Sequence, residues 1–394
     1  MYSEEMYELG SKGSSIRRVA GEAQKRKAEI GEENVFDFSL GNPSIPAPEI
    51  VKKTLIELIE NEHETIHGYT ANKGDAEVRK AIADYINKIN NTTLTSENIY
   101  MTVGACASLS IAIKAIALEG DEIITFAPFF PEYRVFVEGC KAKLVVVKPN
   151  MKDFQIDFDE FEKSINEKTK AVMINSPNNP SGVVYTEETI KKLSDLLNKK
   201  SKEYGHVIYL IADEPYKEIV YDDLKVPCCL NYYDNTFVCY SYSKSLSLPG
   251  ERIGYIAVSN KMEESEKTYL ACCGAGRALG YVCAPSLFQK LVAKLQGVTV
   301  DVDIYKKNRD LILNGLTEIG YECVKPDGAF YLFLKTLEED AEKFSEKAAK
   351  HDIFVVPADP FGCPGYVRVS YCVKPETIEK SLPEFKKLYD EYNK

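Results

Sequence analysis

The chain has few of the groups from which metal and histidine-driven sites are built. Its 394 residues include four histidines, His63, His67, His206 and His351, and none lies beside a plausible nucleophile in sequence. A mechanism that needs a histidine base therefore has few candidates. The eleven cysteines form no Cys-x-x-Cys and pair with no histidine at metal-ligand spacing, which argues against a metal site. Positive charge is also scarce: 49 Lys and Arg stand against 60 Asp and Glu, a net charge of -11. That balance disfavours nucleic acid and anionic membrane as partners. No apolar run approaches the roughly 20 residues needed to span a bilayer, and the start MYSEEMYELGSKGSS lacks the charged and apolar regions of a signal peptide. A cytoplasmic protein with reduced, mostly buried thiols is the expectation.

What is present is the composition of an ordinary globular protein, 44% hydrophobic and 28% charged, with length for two or three domains. Short apolar runs alternate with longer amphipathic stretches, the signature of an α/β protein with a largely parallel sheet. Seven strands are expected, at 99–103, 122–127, 143–147, 171–175, 207–212, 236–241 and 252–258. Apolar spacings of three and four predict helices over 73–88, 105–118, 186–204 and 304–319. Beyond about residue 300, YECVKP, GAFYLFL, IFVVP and YVRVSY suggest a smaller α+β domain packed with the first 48 residues. The expected division is 49–300 for a large domain, with 1–48 and 301–394 forming the small one.

In open α/β sheets ligands bind beyond the carboxyl ends of strands. Gly104-Ala105-Cys106, Phe130-Pro131, Asn178-Asn179-Pro180-Ser181-Gly182, Asp213 and Lys244 each fall at such an end. Taken singly, each has an ordinary explanation as a turn, a cap or a solvated charge; their shared placement gives them weight. Lys244 lies in SYSKSLSLPGERIG, three residues after Ser241 and eight before Arg252. A lysine able to form a Schiff base, an arginine and a hydroxyl able to hold a phosphate, and an aspartate able to pair with a ring nitrogen are what pyridoxal phosphate requires.

These segments resemble, in order, the motifs of the class I/II aminotransferases, fold-type I pyridoxal-phosphate enzymes. LGNPS, GYTANKG, MTVGACASL, NSPNNPSG, ADEPY, SYSKSLSLPGERIG and YVRVSY carry the resemblance from about Gly41 to Arg368. It implies a seven-stranded, mostly parallel sheet between helices, and roles residue by residue. Lys244 would tether the cofactor and carry the proton at the substrate Cα. Asp213 would keep the pyridine nitrogen protonated, and Tyr216 and Asn179 would reach the ring hydroxyl oxygen. Arg252, Ser241 and the amides of Ala105, Cys106 and Ala107 would hold the phosphate, and Phe130 would stack on the ring. Tyr69 would come from a neighbouring subunit, implying a homodimer with shared sites. Arg368 and the backbone of Gly41 would receive the substrate α-carboxylate.

The implied substrates are an L-amino acid and a 2-oxo acid, aspartate with 2-oxoglutarate leading. One branch of the family reads aspartate with a lysine where this chain has Cys106, so that device is missing. Arg277, in GAGRALGYVCAP, is the candidate reader of a distal carboxylate, set against a structural role. Two rival motifs fail: Ser241-x-x-Lys244 lacks the companion motifs of serine acylases, and Gly274-Ala275-Gly276 follows a helical rather than a strand pattern. A lyase on the same cofactor is the alternative, because Lys244, Asp213 and Arg252 serve the cofactor and not the choice of reaction.

Overall fold

Continuous Val-, Ile- and Ala-rich runs are suited to strands covered on both faces, and seven of them build the central sheet. A computed structural model describes residues 2–62 and 64–394. A short strand, β1 (Phe36–Asp37), precedes the sheet, which comprises β2 (Ile99–Thr102), β3 (Glu122–Phe126), β4 (Lys143–Val147), β5 (Thr169–Asn175), β6 (Tyr209–Asp213), β7 (Thr236–Ser241) and β8 (Gly254–Val258). Their spatial order is β2-β8-β7-β6-β5-β3-β4. Only β8 runs against its neighbours; β3 to β7 pair in parallel. Successive side chains go to opposite faces. Ile124, Val172, Leu210 and Val238 enter one core, and Ile123, Ala171, Ile211 and Phe237 enter the other.

A second, four-stranded sheet is formed by β9 (Cys323–Val324), β10 (Tyr331–Lys335), β12 (Val356–Pro357) and β13 (Tyr366–Ser370), while β11 (Ile353–Phe354) pairs in parallel with β1. Helices Val302–Ile319 and Pro375–Tyr392 pack with this sheet over a core containing Phe330, Leu332, Val367 and Val369. Phe36 and Phe38 join that core from the beginning of the chain, and Tyr216, Ile219 and Tyr221 reach it from the segment after β6. Val19 and Ala23, on helix Ser15–Ile30, cover the other face beside Phe333 and Val356.

The element boundaries differ from the periodicity where local chemistry intervenes. The helix expected from residue 73 starts at Ala76, because Gly74 sits at φ 101° and the Asp75 carboxylate caps the amides of Glu77 and Val78. The helix expected from residue 304 starts at Val302, where Asp301 accepts from the Asp303 amide. The last strand of the large sheet begins at Gly254 and not at residue 252, since Arg252 adopts the left-handed conformation at φ 51°. Gly274 and Gly276 lie inside helix Ser265–Ala278, so no dinucleotide loop forms there. No helix among the described residues is long and apolar enough to cross a membrane.

Candidate active site

The cleft forms at the carboxyl ends of β5, β6 and β7, where it encloses about 260 Å³. Gly41, Ala105, Cys106, Phe130, Asn179, Asp213, Tyr216, Ser241, Lys244, Arg252 and Arg368 all line it. Ser241, the last residue of β7, caps the short helix Tyr242–Ser245 by accepting the Ser243 amide at 3.2 Å. Lys244 is thereby presented one turn above the strand end. Its ammonium donates to the Gly41 carbonyl at 2.6 Å and lies 5.4 Å from the Phe330 ring centroid. Burial lowers its pKa from 10.5 to about 8; Cys372 opposes this, while Arg368 and Arg252 push the same way. The amine is thus far easier to deprotonate than an exposed lysine.

Asp213 ends β6 with its carboxylate buried. Tyr133 donates to Oδ2 at 2.6 Å, whereas Oδ1 is buried with no hydrogen-bond partner. Burial raises the carboxyl pKa to about 7, with the Tyr133 hydrogen bond pulling it back down. A buried acceptor without a donor is costly, and a protonated ring nitrogen would satisfy it. Asn175 fixes the neighbouring loop: its Nδ2 donates to the Asp213 carbonyl at 2.9 Å, and its Oδ1 accepts the Asn179 amide at 2.7 Å.

The side of the cleft beside Arg252 is built on helix Ala105–Ile116, whose N-cap Gly104 lies at φ 94°. A Cβ on Gly104 would come within 2.7 Å of Arg252 Nη2, so only glycine lets the guanidinium lie against this helix start. Arg252 donates through Nη1 to the Pro249 carbonyl at 2.9 Å. Ala107 is buried and does not line the cleft. The arrangement of helix start, arginine, lysine and orphaned carboxylate oxygen fits pyridoxal phosphate.

On the opposite wall, Arg368 of β13 is 1% exposed and lies 4.6 Å from the Tyr331 ring centroid. It donates through Nη1 to Asn179 Oδ1 at 3.1 Å and through Nη2 to the Ser39 carbonyl, while Nε is buried without a partner. Gly41 lies so close to Tyr331 that a Cβ would come 1.9 Å from its hydroxyl oxygen. Tyr331 and Tyr216 share a 2.8 Å hydroxyl hydrogen bond, and burial raises the pKa of both phenols, that of Tyr331 to about 12.

Two sequence-derived candidates stand outside this cleft. Tyr69 is fully exposed, and Arg277 is exposed in the last turn of helix Ser265–Ala278. The segments after them meet: Cys283 donates to the Thr70 carbonyl and Gln289 to the Thr70 hydroxyl, and Leu279, Tyr281 and Val282 between Arg277 and Cys283 are exposed. Sequence reasoning missed Ile16, Asn175, Ser243 and Tyr331, which line the cleft, and Tyr133, which supports Asp213. Tyr133 had one available signal, its place three residues after Phe130 at a strand end. Ile16 had none.

Lys244 and Asp213 at adjacent strand ends, facing an arginine on a second sheet, define a fold-type I pyridoxal-phosphate enzyme. A family model described as "Aminotransferase class I and II" matches residues 33–384, and the chain belongs to that family; it is a pyridoxal-phosphate-dependent aminotransferase. An amino transferase of known crystal structure from Eubacterium rectale is 58% identical, with a TM-score of 0.98 over all of both chains. The chain is 30% identical to a probable aspartate aminotransferase of Methanocaldococcus jannaschii, over 96% of this chain and 99% of that one. It is also 30% identical to a probable N-acetyl-LL-diaminopimelate aminotransferase of Bacillus subtilis, over 89% of this chain and 88% of that one. Such relatives do not favour the lyase alternative.

Proposed function

We propose that the enzyme transfers the amino group of a dicarboxylic L-amino acid, aspartate foremost, to 2-oxoglutarate in two ping-pong half-reactions. The observation that carries the reading is the Lys244 amine, with its lowered pKa, in one cleft with the orphaned Asp213 oxygen and the Arg368 guanidinium. Pyridoxal phosphate, when bound, supplies an electron sink for the pair left when the substrate Cα–H bond breaks.

The chain's own residues do the rest. Arg368 takes the α-carboxylate in a planar two-pronged grip, with the Gly41 backbone alongside. That grip fixes which substrate hydrogen faces the Lys244 amine, and the amine moves that proton away from Cα and back. Asp213 keeps a positive charge on the group it faces, and Tyr216 and Asn179 donate to the ring hydroxyl oxygen. Arg252, Ser241 and the helix start hold the phosphate, while Phe130 covers the ring.

The preference for aspartate draws support from the name of the Methanocaldococcus relative. The cleft's own cations are already engaged, Lys244 with the cofactor, Arg252 with phosphate and Arg368 with the α-carboxylate. A distal carboxylate therefore needs a cation from outside, and Arg277 of a second copy is the candidate. The exposed Tyr69 and the exposed apolar Leu279, Tyr281 and Val282 that follow Arg277 support a homodimer with shared sites. The same reading divides each subunit into a large domain at 49–300 and a small one at 1–48 with 301–394, and assigns the enzyme to the cytoplasm.

The test is a panel of amino donors added to purified holoenzyme. The expected result is loss of the visible absorption band to a near-ultraviolet form, fastest with L-aspartate, and its return on adding 2-oxoglutarate. A faster response to neutral donors would overturn the substrate, and a persistent visible band with release of ammonia and pyruvate would overturn the reaction.

A further inference from the structure

The ten residues from Asp213 to Asp222 leave the large sheet at the cleft edge; Tyr216, Ile219 and Tyr221 enter the second core, and Asp222 stands at its surface. Tyr216 packs edge-on against Phe330 and Tyr331, with ring centroids 5.5 and 5.7 Å away. Ile219 then accepts the Ala329 amide at 2.9 Å, and the Tyr221 amide donates to the Asp327 carbonyl at 3.0 Å. The buried Tyr221 hydroxyl donates to the Ala329 carbonyl and accepts from Tyr371 at 3.2 Å. This strap is therefore zipped to the turn that delivers Phe330 and Tyr331 to the cleft.

Its far end is fixed by charge. Asp222, at φ 57°, collects three cations: Lys306 at 2.8 Å, Arg309 at 3.0 Å and Lys325 at 3.5 Å. Arg309 is 2% exposed, lies 4.9 Å from the Tyr221 ring centroid and donates to the Pro326 carbonyl at 3.0 Å. One carboxylate thus joins the strap to helix Val302–Ile319 and to the 325–329 turn at once. We infer that Asp222 is a positioning residue for catalysis: its ion cluster sets where Tyr331 and Arg368 stand relative to Asp213 and Lys244. It touches neither substrate nor cofactor and acts through the strap. Because it governs the α-carboxylate side, its effect does not depend on which donor the enzyme prefers.

Asp222→Asn keeps the shape and tolerates the left-handed backbone, and Asp310, 2.6 Å from Arg309 Nε, still offsets the buried guanidinium. With L-aspartate and L-alanine as donors and 2-oxoglutarate as acceptor, the variant should raise both donor KM values about fivefold. Its kcat and its affinity for pyridoxal phosphate should stay near those of the unaltered enzyme. Arg309→Met should give a similar KM increase, and the double variant should be no worse than either single change. A lower melting temperature with unchanged KM would reduce Asp222 to a structural role and overturn the inference. A KM rise matched by lost cofactor affinity would overturn it too. Should Asp222→Asn fail to fold, Lys306→Gln and Lys325→Gln each remove one outer cation; a KM increase of about twofold in each supports the clasp, and unchanged KM in both rejects it.

Discussion

The two walls of the cleft are built differently. On the cofactor wall, Asp213 at the end of β6 and Lys244 just after β7 stand on neighbouring strand ends, and the helix start after β2 lies two strands further along the same hydrogen-bonded sheet, which has apolar cores on both faces. On the substrate wall, Ile16, Gly41, Tyr331 and Arg368 come from four separate stretches of chain; the Arg277 proposed to complete it from a second copy lies outside the cleft of its own chain. Chemistry that must not vary is thus mounted on a rigid frame. Recognition is mounted on a second sheet, where Tyr331 and Arg368 stand on paired strands, joined by segments from the beginning of the chain.

The largest blow to this contrast should come from Asp213→Asn. Losing the charge opposite the ring nitrogen should reduce kcat by about 10²–10³-fold, as steady-state turnover with saturating donor would show. The same change should stabilise the cofactor-free protein. The folded pKa of about 7 lies above the ordinary 3.8, so the native state holds the extra proton between those values and loses stability as pH rises through that window. Above pH 7 the full cost applies, on the order of a few kcal/mol, and melting curves of the apo variant at pH 8 should lie above those of the unaltered apo protein. An unchanged or lower melting temperature would break the idea that the cofactor wall stores a penalty for its ligand.

Arg277→Ala comes next. It should raise the KM for aspartate about tenfold while leaving that for alanine within about twofold. Equal effects on both donors would take Arg277 out of the substrate wall. The smallest effect is expected from Tyr133→Phe, which removes one phenol hydrogen bond to the Asp213 carboxylate, a bond to a charged acceptor worth about 1.5–3 kcal/mol. It should lower kcat/KM about fivefold and shift its acid limb to higher pH, because the lost donor leaves the carboxylate less stabilised. A pH profile identical to that of the unaltered enzyme would show that Tyr133 only fills space.

The same contrast explains what the sequence could reveal. Lys244, Asp213 and Arg252 were legible because each follows or precedes an apolar strand run, and strand ends in such a sheet converge on one edge. Tyr133 was hidden among Phe126, Phe129 and Phe130, where an aromatic residue reads as packing, and only the 2.6 Å hydroxyl contact distinguishes it. Tyr331 reads as one more alternating residue of GAFYLFL until it is found against Gly41. Ile16 was illegible for a stronger reason: its place in the cleft depends on how the N-terminal helix lies over the rest of the chain, which no local pattern encodes. The seven strands themselves shifted by at most two residues at either end.

The reversed direction of β8 has a consequence for the size of the ligand. Because β7 and β8 run antiparallel, the chain turns back at the cleft edge, and Lys244 and Arg252 sit on one connection between Tyr242 and Ile253. Under the proposed roles, the residues that would hold the cofactor covalently and at its phosphate are eight residues apart on a single short bridge pinned at both ends by the sheet. Such a bridge would act as a ruler for whatever group Lys244 and Arg252 hold between them.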